Sequence, residues 1–117
     1  MFQKQPKIKL KESELQKAIL EYLKFSAELI YWRQNLGGVM RQSKGKLIFA
    51  KNPMKGFPDI CGITSSGKFW GIEVKSEKGK CSDEQNAWHN ALELSGAMIF
   101  VVRSMKEAIE AIQKIKN

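Results

Sequence analysis

The chain has one histidine and two cysteines among 117 residues. A lone histidine, His89, argues against zinc chemistry and against a histidine general base. By helical phase His89 is expected on the outer part of its helix, and no role follows for it. Cys61 and Cys81 stand twenty positions apart, without CxxC spacing. Neither a disulfide nor a zinc site is expected, and both read as free thiols of a reducing, cytoplasmic compartment. No apolar run reaches the ~20 residues of a membrane-spanning helix. The first eleven residues lack the apolar core of a secretion signal. Acids are also few, 12 against 20 Lys and Arg, and the net charge is +8. That balance suits a polyanionic partner, although ribosomal, membrane-surface and ordinary soluble proteins share it. There is no internal repeat and no low-complexity linker, so one domain is expected over residues 12–117 behind a basic arm, 1–11.

The informative stretch is Gly56-Phe57-Pro58-Asp59-Ile60-Cys61-Gly62, followed by Gly71-Ile72-Glu73-Val74-Lys75. Thr64-Ser65-Ser66-Gly67-Lys68 between them is a turn signal, and both flanks are rich in strand formers. A three-residue loop, Ser65-Ser66-Gly67, pairs Thr64 with Lys68 and sets Asp59 opposite Glu73. Side chains directly opposite share a face with Cβ atoms about 5 Å apart. Lys75, two residues beyond Glu73, points the same way. A slip of one residue would destroy this convergence. Two carboxylates so close repel unless one holds a proton or a cation lies between them. Oxygen ligands suit Mg²⁺ or Mn²⁺. With Lys75 beside such an ion, the set is equipment for metal-assisted phosphodiester hydrolysis. The same spacing would also make a cross-strand salt-bridge cluster.

Around the hairpin, Leu15, Ala18, Ile19, Tyr22, Leu23 and Ser26 repeat at helical spacing and predict a helix from about Glu12 to Phe25. Glu12 falls within its inward arc and Glu14 just outside. Residues 28–34 read as a strand, 39–46 as a polar, basic, glycine-bearing stretch, and Leu47-Ile48-Phe49 as a short strand. On the second hairpin strand Trp70, Ile72 and Val74 form one face; Phe69, Gly71, Glu73 and Lys75 form the other, where Gly71 leaves room near the site. Ser82 to Gln85 is a capping box opening a helix to about Ser95, with Trp88, Ala91, Leu92 and Ser95 inward and Gln85 on that side. Gly96 stops it. Residues 97–102 are a buried strand, parallel to the Glu73–Lys75 strand through a βαβ crossover. A second capping box, Ser104 to Glu107, opens a last helix. The fold class is α/β, a mixed sheet flanked by helices in the order α-β-β-β-β-α-β-α.

Arg33, Arg41, Lys44, Lys46, Lys51 and Lys55 precede Asp59, and no acid lies between Glu28 and Asp59. Together with Lys78 and Lys80 they are candidate clamps for phosphates; singly, each reads first as a solvated loop residue, and the clamp reading belongs to them collectively.

Gly56-Phe57-Pro58-Asp59, Glu73-Val74-Lys75, Gly79, Ser82, Gln85, Leu92 and Gly96 together resemble the VRR-NUC branch of the PD-(D/E)XK nucleases. The resemblance runs from about the first helix to the last. It implies a restriction-endonuclease-like fold and a Mg²⁺- or Mn²⁺-dependent DNA endonuclease. In its terms Asp59, Glu73 and the Val74 carbonyl bind the ion, with Glu12 helping and Glu14 as fallback. Lys75 activates water, and Gln85 holds Lys75 or the scissile phosphate. Cys81 departs from the apolar residue common before the Ser. The family includes enzymes acting on flaps and four-way junctions, and compact members are associated with phage replication modules. A junction resolvase needs two cuts and hence a homodimer. The rival classes are a DNA-binding module without cleavage and a protein-interaction domain.

Overall fold

The computed structural model describes residues 10–26, 28–35, 39–50 and 54–117, with main chain alone for 39–43 and 46–50. The elements run α1 (Glu12–Phe25), β1 (Ile30–Arg33), β2 (Val39–Ser43), β3 (Lys46–Ala50), β4 (Ile60–Ile63), β5 (Phe69–Val74), α2 (Asp83–Leu94), β6 (Met98–Val102) and α3 (Met105–Lys116). The expected α/β class and mixed sheet are present. Residues 39–43 add a strand, β2, that pairs with β3 alone and stands outside the main sheet. The main sheet has the order β1-β4-β5-β6. Its first three strands are antiparallel, and β6 lies parallel to β5 across the α2 crossover.

Turn chemistry sets the central register. Gly67 has φ +86°, a left-handed position that glycine takes without cost. Thr64 N–H donates to Lys68 O at 2.8 Å and closes the three-residue loop. Cys61 therefore faces Gly71, and Ile60 faces Ile72. One step further along the same register Asp59 meets Glu73, as expected.

Alternation along β5 then separates core from site. Trp70, Ile72 and Val74 point to one face, where they join Ile60 and Val102 under α1 and α3. Helix α1 contributes Leu15, Ile19 and Leu23; α3 contributes Ala108, Ala111, Ile112 and Ile115. Trp70, at 0% exposure, is core. Glu12 and Glu14 in the first turn of α1 and Lys24 in the last complement its dipole. The opposite face of β5 carries Gly71 and Glu73 and receives α2.

Strand β1 is shorter than residues 28–34. Gln34 and Asn35 leave the ladder and both donate main-chain N–H to Asp59 O, at 2.8 and 3.1 Å. In α3, Ser104 Oγ accepts from Glu107 N–H, but Glu107 Oε1 takes the N–H of Arg103 rather than that of Ser104, so the second capping box is half formed.

Candidate active site

Asp59 precedes β4 and is held from three directions. Its carbonyl accepts the two N–H groups that end β1. Oδ1 accepts from Asn35 Nδ2 at 2.8 Å, and Oδ2 from Val74 N–H at 2.8 Å. Pro58 packs against Gly71, where a Cβ would lie 2.9 Å from the proline ring. Gly71 thus admits Pro58 rather than leaving open room, which corrects the expectation for that position. The glycine lets the Pro-Asp pair sit close against β5.

Glu73 projects from β5 toward Asp59, close enough for the two carboxyls to act on each other's charge. Glu73 is 1% exposed. Burial, hydrogen bonding of the protonated carboxyl to Asp59 and the negative charge of Asp59 push its pKa up to about 9, while the Lys75 ammonium opposes and Glu12 adds to the rise. Cys61, on the adjoining strand, has its thiol pushed up to about 12 by burial and then by the same two acids. Its Sγ donates to Pro58 O at 3.6 Å.

His89 is not on the outer part of α2. It is buried, with Nε2 3.3 Å from Glu73 Oε1. Burial lowers its pKa, favouring the neutral ring. Ala91 and Ser95, expected inward, are exposed. The inward stripe of α2 is Gln85, Trp88, His89 and Leu92, a rotation toward the histidine.

The capping box at Ser82 is complete. Ser82 N–H donates to Gln85 Oε1 at 2.8 Å, and Gln85 N–H donates to Ser82 Oγ at 3.2 Å. The Gln85 carbonyl is thereby engaged by its own helix.

Lys75 is half-buried beyond Glu73, and the 76–79 turn after it is pinned twice. Glu12 Oε1 accepts Ser76 N–H at 3.0 Å. Arg103 Nη1 donates to Ser76 O at 2.8 Å and to Gly79 O. Glu12 and Glu14 are both exposed, so Glu12 is not inward as expected, but it reaches the site margin through this turn. Among the described residues no group of three or more His, Cys, Asp or Glu is gathered into a ready-made cage for an ion. The acidic pair and the Val74 main chain are what the structure brings together.

Of the candidate phosphate clamps, Arg33, Lys44, Lys55, Lys78 and Lys80 are exposed. Lys55 lies 3.8 Å from Glu84, an exposed pair. The side chains of Arg41 and Lys46, and all of Lys51, lie outside the described residues, as do residues 1–9 of the expected arm. Asn35 and Arg103 carry no signal in motif spacing, and His89 was not expected at the site. For His89 the signal available was its place four residues after Gln85.

No helix among the described residues is long and apolar enough to cross a membrane. No curated protein matches the chain. The family model for the VRR-NUC domain matches residues 10–106. A solved structure of a VRR-NUC domain is similar at 30% identity with a TM-score of 0.53, over 87% of this chain and 94% of that one. With the Pro58-Asp59 and Glu73-Val74-Lys75 elements set face to face, the chain belongs to the VRR-NUC family of nuclease domains.

Proposed function

We propose that the chain is a Mg²⁺- or Mn²⁺-dependent DNA endonuclease, selective for branched DNA such as flaps or four-way junctions. The observation that supports it is the convergence of two buried carboxyls, Asp59 and Glu73, which the β4–β5 register sets opposite each other beside Lys75. A buried acid that must hold a proton at neutral pH is a poor salt-bridge partner and a good place for a divalent cation to replace that proton. The donor set, two carboxylates and the Val74 carbonyl, is all oxygen and so fits these ions. A bound ion supplies charge stabilisation for the phosphorane-like transition state and a more acidic water.

The protein's own groups do the rest. Asn35 and the Val74 N–H hold the Asp59 carboxylate in a fixed orientation. Lys75 orients the attacking water and neutralises charge on the phosphate. Glu12 and Arg103 hold the turn that follows Lys75, and so the direction of its strand end. The amide NH₂ of Gln85 is the group a phosphate oxygen would meet, since its carbonyl caps α2. Arg33, Arg41, Lys44, Lys46, Lys55, Lys78 and Lys80 contact the DNA backbone, independent of sequence. Resolution of a four-way junction would take two sites and therefore a homodimer.

The test is a panel of labelled single-strand, duplex, flap and four-way junction DNA with Mg²⁺, Mn²⁺ or EDTA. Metal-dependent cutting of a branched substrate is expected. Asp59→Ala, Glu73→Ala and Lys75→Ala should still retard DNA yet leave it intact. Cutting by those variants at the normal rate would exclude the assignment. DNA retardation without cutting by the unaltered protein would leave a binding module.

A further inference from the structure

Helix α2 presses one polar side chain into the same enclosure as the acidic pair. His89 is 6% exposed and Glu73 1%. Their contact, Nε2 to Oε1, is 3.3 Å. A leucine at position 89 would fill the space without desolvating a ring nitrogen, so packing alone does not account for the histidine. Glu73 is the only side chain with which the imidazole makes a hydrogen bond among the described residues. The Glu73 carboxyl is thus engaged from two sides, by Asp59 and by His89. Asp59 is engaged likewise, by Asn35 and by the Val74 N–H. Asp59 thus has two partners outside the pair and Glu73 has one, His89.

We propose that His89 is the positioning residue of Glu73: its Nε2–H donates to Oε1 and holds the carboxylate in the orientation from which it and Asp59 share a divalent cation. A carboxylate acceptor selects the tautomer protonated at Nε2. An imidazole N–H can serve as this donor without a positive charge beside the ion. Lysine or arginine in its place would compete with the cation for the same oxygens. Partners of this kind commonly govern metal affinity while touching neither metal nor substrate. The inference rests on the metal-dependent reading above.

The experiment is calorimetric titration of MnCl₂ into the metal-free full chain without DNA, together with melting in EDTA. His89→Phe fills the space but has no donor; His89→Gln restores an N–H at similar reach. His89→Phe is expected to melt close to the unaltered protein and to bind Mn²⁺ about 10- to 100-fold more weakly, the usual effect of losing such a partner. His89→Gln should recover most of that loss, which a purely structural role would not produce. Equal Mn²⁺ affinity in His89→Phe and the unaltered protein would overturn the inference. If His89→Phe does not fold, His89→Asn, whose amide is too short to reach Oε1, takes its place with the same two outcomes. Asp59→Asn separates the two levels. Should the unaltered protein bind Mn²⁺ no better than Asp59→Asn, the metal site itself is refuted. Should it bind better while the His89 variants match it, only the histidine's part is refuted.

Discussion

Glu73→Gln should make the metal-free protein more stable and inactive at once. In EDTA at pH 7 the Glu73 carboxyl, with its pKa raised from 4.5 to about 9, keeps a proton that the unfolded chain releases. The gap between 4.5 and pH 7, at ~1.4 kcal/mol per pH unit, is about 3 kcal/mol of lost stability. The sign follows from linkage. A carboxyl whose folded pKa lies above its unfolded value costs nothing below the unfolded value. Its cost grows as pH rises and levels off only above the folded value. Glutamine has no proton to lose and keeps an N–H donor toward Asp59. Glu73→Gln and the unaltered protein should therefore melt together near pH 4.5 and diverge by about 10 °C or more at pH 7, given several degrees per kcal/mol for a chain of this size. Circular-dichroism melts in EDTA from pH 4.5 to 8.5 measure this. Mn²⁺ should narrow the gap by stabilising the unaltered protein alone. A melting temperature that does not move with pH, or a Glu73→Gln protein less stable at pH 7, would refute the reasoning.

Three further outcomes follow from the same geometry. Glu12→Gln keeps an oxygen for the Ser76 N–H and should cut at close to the normal rate, whereas Glu12→Ala should lose about tenfold, one hydrogen bond's worth of positioning; equal losses in steady-state cutting would mean that the charge itself is used. Gly71→Ala would set a Cβ 2.9 Å from the Pro58 ring and 3.2 Å from Ile99 Cδ1, an overpacking cost of about 1–3 kcal/mol. Because Pro58 carries Asp59 with it, cutting by the folded fraction should fall as well, and a normal rate from folded Gly71→Ala would contradict that. Iodoacetamide at pH 8 should label half-exposed Cys81 and spare Cys61, whose buried thiol is pushed up to about 12; two adducts on the native protein by mass spectrometry would be the contrary result.

Local chemistry was the legible part of this fold. The Ser65-Ser66-Gly67 turn specifies its register within a few residues, and that register carries Asp59 to Glu73. The repeat from Leu15 to Leu23 marks α1, whose ends fall at Glu12 and Phe25. The alternation Trp70, Ile72, Val74 marks the core face of β5. The phase of α2 was less legible, because choosing its inward side by apolarity favours Ala91 over a histidine, and Ser95 follows from the same phase. The buried acid on β5 reverses that preference, and only the packed sheet reveals it. Asn35 and Arg103 were hidden for another reason. Each acts across strands, Asn35 from the end of β1 onto Asp59 and Arg103 from the end of β6 onto the turn after β5. Side-chain bonds of that kind leave no period in the sequence. Strand β2 was missed because only Val39 and Met40 of its five residues are apolar, and its partner is a single strand rather than the core.

The most direct test is crystallographic. Crystals soaked in MnCl₂ and measured at a wavelength where manganese scatters anomalously should show a peak about 2.1–2.2 Å from carboxylate oxygens of both Asp59 and Glu73. A protein that cuts DNA with Mn²⁺ but shows no peak between these two side chains would contradict the account.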